Sequence, residues 1–222
     1  MKTLLKIFFS FAFLFIIVNA FTQSDEAIKP EYTSTLKVSP IQFGSSYFEI
    51  SYEKFFSNNK RSIHISPMIM LKQNSYEEFK GIQLELQYRL YLKQLNKEEN
   101  ATWVFSDIDL YSGFYANGLT YTENYNMGYY EYDPITMREE YKDGNFDKDI
   151  NGGEGGVFVG LQFTLAKRIV IDVLAGGGIR YSDVVDEYVP PENQYYYNDY
   201  GVFDLEYLGV KPKLNIQIGI TL

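Results

Sequence analysis

KPKLNIQIGITL, residues 211–222, is the segment that decides the predicted fold. Every even-numbered residue from 212 to 222 is apolar, and every odd-numbered residue is polar or glycine. A period of two is typical of a β-strand, because successive side chains point to opposite faces of a sheet. The segment is therefore predicted to be a strand with one apolar and one polar face. Such a strand fits a membrane barrel, whose apolar face meets lipid, and also a soluble lipocalin-like barrel, whose apolar face points inward.

Seven further segments alternate in a similar way, so that eight strands are predicted. Most of these strands have 10 to 15 residues, which is longer than the usual globular strand of about 5 to 6. A membrane-crossing strand needs about 9 to 11 residues, so strand length favours the membrane barrel. The predicted fold is an all-β, antiparallel, eight-stranded transmembrane β-barrel. Its strands are expected at residues 34–43, 46–56, 61–72, 81–93, 102–120, 154–165, 168–182 and 208–222.

The predicted connections differ in length between the two ends of the barrel. Residues 57–60 and 166–167 form short connections at one end, whereas residues 121–152 and 183–207 form long ones at the other. Outer-membrane barrels have short turns on the periplasmic side and long loops outside the cell. We therefore expect two long extracellular loops.

The first twenty residues have the features of a secretory signal peptide. Lys2 and Lys6 precede an apolar run over residues 7–18. Ala20 ends a small-residue cleavage site. This run is shorter than the roughly 20 residues that a membrane-spanning helix needs. We expect residues 1–20 to be cleaved, residues 21–33 to form a periplasmic segment, and residues 34–222 to form the barrel.

The acidic charge of the protein is concentrated in the two predicted loops. The net charge is −9, or −11 without the two lysines of the signal peptide, so nucleic acid is not an expected partner. Residues 121–152 carry −5 and residues 183–207 carry −7, and together they hold twelve of the 21 tyrosines. Tyrosine gives rigid contact area with a hydrogen-bonding tip, which favours a surface contact; an acidic fringe that repels neighbours is the alternative. The predicted contact residues are Tyr129, Tyr130, Tyr132, Tyr195, Tyr196, Tyr197 and Tyr200.

The polar faces of the strands predict a charged interior. If the apolar faces point outward, five basic and six acidic side chains point inward, and such a nearly neutral set can be paired. Because the fourth and fifth strands are neighbours, Glu85 and Arg89 are expected to pair with Asp107 and Asp109. The predicted interior charge network consists of Glu85, Arg89, Asp107, Asp109, Asp172 and Lys213.

No residue pattern predicts catalysis, a metal site or a cofactor. His64 is the only histidine and the chain has no cysteine, so an ordinary zinc site cannot form. Residues 147–152, DKDING, resemble the start of a calcium loop, but the twelfth position is Phe158 instead of the required glutamate. We interpret His64 as a member of the interior polar network and DKDING as a solvated turn.

Four segments resemble a known family. They are FEISYEKFF (48–56), GIQLELQYRLYL (81–92), VFVGLQFTLAKRIVIDVLAGGGIRYS (157–182) and LNIQIGITL (214–222). They resemble the small outer-membrane β-barrel proteins common in Bacteroidota, with the general architecture of OmpX and OmpW. The resemblance implies contact with outer-membrane lipid and lipopolysaccharide, and with the outer-membrane assembly machinery during biogenesis.

This family implies a location and a fold but no biochemical activity. The expected function is therefore that of a non-enzymatic outer-membrane protein whose loops serve surface interaction or envelope integrity. The alternatives are a narrow conduit or binder for small solutes and a soluble periplasmic β-barrel binding protein.

Overall fold

The structure is a computed structural model that describes most of the chain from residue 33 onward. It describes residues 33–44, 47–56, 60–73, 77–94, 105–133, 135, 137–166, 168–186 and 207–222. The predicted signal peptide, nearly all of the predicted periplasmic segment, and Tyr195, Tyr196, Tyr197 and Tyr200 lie outside these residues.

The described chain folds into one antiparallel sheet. Each strand pairs with the next along the chain, and the last strand pairs with the first, so the eight strands close into a ring. The prediction of eight antiparallel strands is thus confirmed. Within the described ranges, no helix has both the length and the hydropathy for crossing a membrane. The elements are β1 (Ser34–Val38), α1 (Pro40–Gly44), β2 (Tyr47–Phe56), β3 (Arg61–Gln73), β4 (Glu77–Gln94), β5 (Phe105–Asp133), β6 (Arg138–Leu165), β7 (Ile169–Asp186) and β8 (Gly209–Thr221).

The predicted long loop over residues 121–152 is wrong. β5 continues to Asp133 and β6 begins at Arg138, so residues 121–133 and 138–152 are paired strands, and DKDING lies within β6 instead of in a turn. Aromatic side chains stabilise this pairing, since the rings of Tyr130 and Tyr141 lie 5.4 Å apart on register partners.

Part of this β5–β6 pair extends beyond the neighbouring strands. Among the described residues, β4 pairs with β5 only as far as Tyr125, and β7 pairs with β6 only from Lys148 onward. We call residues 126–145 the projecting hairpin. At a rise of about 3.3 Å per residue, its eight β5 residues, 126–133, span about 26 Å.

The first strand is shorter than predicted. β1 was expected over residues 34–43, but it ends at Val38, and Pro40 begins the short helix α1. Proline lacks the amide hydrogen that a strand ladder needs and favours the first turn of a helix. Beyond Val38 no strand joins β2 to β8, and α1 packs against both.

The polarity of the ring is the reverse of that of a soluble protein. Its outward positions carry large apolar side chains such as Leu84, Leu86 and Leu214, and the last of these is 67% exposed. Its inward positions carry charged side chains such as Glu53 and Arg89, both of which are fully buried. The apolar face of residues 211–222 therefore points outward.

Two glycines make room inside the ring for tyrosine rings. Gly81 is the register partner of Tyr121, and Gly160 is the register partner of Tyr111. A Cβ atom built on either glycine would overlap the partner ring. Glycine in a strand allows such a close approach, and the interior of an eight-stranded ring is just wide enough for side chains to fill.

Candidate functional site

A cluster of four charged side chains occupies the interior where β1, β2, β4 and β7 face one another. Lys37 Nζ lies 2.6 Å from both Glu53 Oε2 and Asp172 Oδ2. Arg89 Nη1 lies 2.6 Å from Asp172 Oδ2 and 3.2 Å from Glu53 Oε2. All four side chains are buried, and their two positive and two negative charges balance. We call these residues the central charge cluster.

Neutral groups donate further hydrogen bonds to the two carboxylates of this cluster. The hydroxyls of Ser62 and Tyr91 donate to Glu53 Oε1, and the hydroxyl of Tyr111 donates to Asp172 Oδ1. The Arg89 guanidinium also lies 4.7 Å from the centre of the Tyr111 ring, a cation–π distance. The two carboxylates therefore have the paired and hydrogen-bonded arrangement that buried charges require, whereas Arg89 Nη2 has no hydrogen-bond partner among the described residues.

A cavity of about 340 Å³ forms a second polar region of the interior. Lys213 Nζ lies 2.5 Å from Glu85 Oε2, and Arg180 Nη2 lies 2.8 Å from Glu154 Oε2. Three acidic and three basic side chains line the cavity, so its lining contains positive and negative charges in equal number. They are Glu49, Glu85, Glu154, Arg180, Lys211 and Lys213.

The six residues of the predicted interior network fall into different places. Arg89 and Asp172 meet in the central charge cluster, whereas Glu85 and Lys213 meet in the cavity. Asp109 is partly buried and is the register partner of Gln94 and Gln162, and the side chain of Asp107 lies outside the described part of the chain.

The described partners of Arg89 and Glu85 differ from those expected. Both were expected to pair with Asp107 and Asp109 on the neighbouring strand, but their described ion pairs cross the interior to β2, β7 and β8. The expectation considered only adjacent strands, whereas long side chains in a narrow interior reach strands that are distant in the sheet.

Glu154 and Tyr111 lie in the interior but were not among the residues predicted to point inward. Glu154 lies in the glycine run GGEGG, which obscured its alternation with the inward residues Phe158 and Gln162. Tyr111 was missed because an aromatic residue on a strand does not by itself reveal a buried hydroxyl.

The projecting hairpin has two different faces. Tyr130, Tyr132 and Tyr141 lie together on an exposed face, whereas Tyr129 lies on the other face, 5.7 Å from the ring of Phe146. The structure therefore brings Tyr130 and Tyr132 together and separates Tyr129 from them. The charge of Asp143 raises the pKa of the exposed Tyr141 phenol above its ordinary value.

The tip of the projecting hairpin is apolar, which the sequence analysis did not predict. Ile135 is 90% exposed, and Met137 is also exposed, 3.3 Å through its sulfur from the hydroxyl of Tyr132. The tip therefore adds apolar contact area to the tyrosine face.

Comparison with known proteins does not place the chain in a family. No family model matches the sequence, and no curated protein matches it. Among the described residues, no group of three or more histidine, aspartate or glutamate side chains is placed to hold a metal ion. The polarity and charge of the described residues are therefore the basis for a functional interpretation.

Proposed function

We propose that the protein is an integral outer-membrane β-barrel that acts without catalysis and anchors a projecting hairpin at the cell surface. The observation that carries this proposal is the reversed polarity of the ring, which has buried charges inside and large apolar side chains outside. Large exposed apolar surfaces mark sites that contact another apolar phase.

The closed sheet supports a position in lipid. Within a bilayer every backbone polar group needs a partner inside the protein, and the strand ladders of the ring provide such partners except in the gap beyond Val38, where α1 packs against β2 and β8. β3 and β8 have 13 residues each, more than the 9 to 11 that a tilted strand needs for crossing the hydrocarbon region. The resemblance to small outer-membrane barrels and the predicted signal peptide support the same location.

A soluble binding barrel is the less favoured alternative. Such a barrel places an apolar pocket inside and charged residues outside. In this ring the central charge cluster lies inside, while Ile82, Leu84 and Leu86 form an exposed apolar row on β4.

The projecting hairpin is the proposed contact surface. It combines exposed Tyr130, Tyr132 and Tyr141 with five acidic and two basic residues. Its proposed partner is a cationic surface or divalent ions that bridge to lipopolysaccharide phosphates. Tyr195, Tyr196, Tyr197 and Tyr200 stay predictions of the same surface. Contact with the outer-membrane assembly machinery during biogenesis is part of the proposal.

Cell fractionation combined with gel migration tests the membrane location. We expect the protein in the outer-membrane fraction, and we expect the unboiled sample to migrate differently from the boiled one on a detergent gel. Recovery in the soluble periplasm, with identical migration of both samples, would contradict the proposal.

A further inference from the structure

We propose that the 340 Å³ cavity binds a small organic anion, a phosphate or carboxylate with a neighbouring hydroxyl group, through Arg180, Lys211 and Asn117. This binding site goes beyond the proposed anchoring function. The cavity volume lies at the lower end of the range of about 300 to 1,000 Å³ that is typical of small-molecule pockets.

Two buried polar atoms of the cavity lining lack a hydrogen-bond partner in the part of the chain that the structure describes. Arg180 is 3% exposed and uses Nε and Nη2 to bind Glu154 Oε2, but its Nη1 has no hydrogen-bond partner. Asn117 is 9% exposed, and its Oδ1 also has none. Leaving a buried donor or acceptor unpaired is costly, and such groups are rare in native proteins. A ligand with an anionic oxygen and a hydroxyl group would satisfy both atoms.

The strand register places these groups on one wall of the cavity. Asn117, Glu154 and Arg180 are successive register partners across β5, β6 and β7. Lys211 on β8 is the register partner of Gly178, two residues before Arg180 on the same face of the sheet. Side chains in such diagonal positions are close enough for both to contact one small ligand.

The charges of the lining leave a cation for the ligand. Lys213 is paired with Glu85, and Arg180 is paired with Glu154. Glu49 accepts hydrogen bonds from the neutral side chains of Ser66 and Gln217. Among the described residues, the Lys211 ammonium has no carboxylate partner within salt-bridge distance, although it lines the same cavity. The lining is neutral overall, since Glu49 balances Lys211, but Glu49 is held by hydrogen bonds on β3 and β8. The Lys211 ammonium lies on the wall that also carries the unpartnered Nη1 of Arg180, so this part of the cavity is locally positive and favours an anion.

The cavity is open to the outside of the ring between β2 and β8. Beyond Val38 no strand joins β2 to β8, and Gln42 of α1 and the outward-facing Leu214 of β8 line the cavity there. The anion therefore has two possible sources, a free solute and the phosphate group of a lipid. Both present the same chemistry to Arg180 and Lys211.

Two binding measurements on the full purified protein test the site. In one arm, titration calorimetry follows the addition of glycerol 3-phosphate or glycerate to the protein in discs of zwitterionic phosphatidylcholine. The other arm measures by electron spin resonance whether the protein immobilises spin-labelled phosphatidylglycerol, whose headgroup has a phosphate and neighbouring hydroxyl groups, more than spin-labelled phosphatidylcholine. We expect saturable binding in one arm, which identifies the source. The Lys211→Gln variant should weaken that binding at least fivefold, because it removes the ammonium that contacts the anion. It should still fold, since Lys211 has no described ion pair.

The control variant is Lys80→Gln, because Lys80 is an exposed lysine that does not line the cavity. It should bind like the original protein. The double variant Arg180→Gln/Glu154→Gln removes the buried pair without leaving an unpaired charge, and it should abolish binding while keeping heat-modifiable migration. Absence of saturable binding in both arms, or equal affinity of the Lys211→Gln variant, would overturn the proposal. Fractionation of the cell tests the anchoring function separately.

Discussion

Arg89 Nη1 donates a hydrogen bond of 2.6 Å to Asp172 Oδ2, and this bond joins β4 to β7 across the interior of the ring. The two residues lie 83 positions apart in the sequence, and both are buried. Arg89 also contacts Glu53 of β2, so one guanidinium links three strands, two of which are not its neighbours in the sheet. The cross-section of the ring is therefore stabilised by side chains as well as by the strand ladder.

Removing this guanidinium should strongly destabilise the protein. Arg89→Ala leaves the carboxylates of Glu53 and Asp172 with Lys37 as their remaining described basic partner, and breaking a buried pair in this way costs about 3 to 5 kcal/mol. Urea unfolding in phosphatidylcholine vesicles measures the change. The control is Lys80→Ala, which removes an exposed pair with Glu78 and should cost less than about 1 kcal/mol. Equal unfolding midpoints of the two variants would count against a stabilising role of the central charge cluster.

A charge on the outer face should oppose insertion into lipid. Leu86 lies near the middle of β4 and points outward, so Leu86→Arg should cost roughly 2 to 4 kcal/mol if this position lies near the bilayer midplane. Refolding into vesicles at graded urea concentrations gives the free energy. Ile135→Arg places the same charge at the exposed tip of the projecting hairpin and should change the free energy by less than about 0.5 kcal/mol. A Leu86→Arg protein as stable as the control would contradict the lipid-facing assignment.

Adding one carbon atom at Gly160 should disturb the central charge cluster. A Cβ there would overlap the ring of Tyr111, which donates to Asp172 and lies beneath Arg89. Overpacking of this kind costs about 1 to 3 kcal/mol. Gly118 has nothing within 4 Å of its would-be Cβ, so Gly118→Ala is the matched control and should stay within about 0.5 kcal/mol. The same urea titration compares the two, and a Gly160→Ala variant as stable as the control would show that Tyr111 has room to move.

Shortening the projecting hairpin should leave the ring intact. Tyr125 and Phe146 are register partners, so residues 126–145 can be replaced by the two-residue turn Asn-Gly. β4 and β7 do not pair with the removed residues, and the variant should therefore keep its heat-modifiable migration. Its binding to lipopolysaccharide in the presence of magnesium should fall.

A second variant tests the same surface by keeping the hairpin and changing only its exposed aromatic face. Tyr130→Ser and Tyr132→Ser together should reduce binding without changing the length of the hairpin. If the shortened variant binds lipopolysaccharide as well as the original protein does, the projecting hairpin is not the contact surface.

The eight strands and the two faces of each could be predicted from the sequence, because a period of two marks a strand and fixes which residues share a face. The length of β5 and β6 could not be predicted in the same way. Residues 121–152 combine acidic residues, glycines and tyrosines, a composition that is typical of loops. Their pairing is seen only in the strand register of the structure, for example in the pair Tyr130 and Tyr141.

The ion-pair partners inside the ring could not be predicted from adjacent strands alone. That Arg89 and Asp172 both point inward follows from alternation alone. Their contact depends on which strands face one another after closure, and β4 and β7 are separated by two strands along the sheet. The unpartnered atoms of Arg180 and Asn117 were equally hidden, because they depend on the geometry of neighbouring side chains.

The short first strand has a consequence for the order in which the protein opens. Four residues of β1, 35–38, are register partners of β8, and Thr33 and Ser34 add backbone hydrogen bonds with Leu222, whereas all 13 residues of β3 pair with β4. Lys37 lies within this short seam and donates to Glu53, Gln162 and Asp172, so its ammonium holds β1 against the rest of the protein from inside. Local opening begins where few contacts resist it. Amide hydrogens of β1 and of Ile218 and Ile220 should therefore exchange with solvent before those of β3 and β4, and Lys37→Met should speed exchange at this seam first.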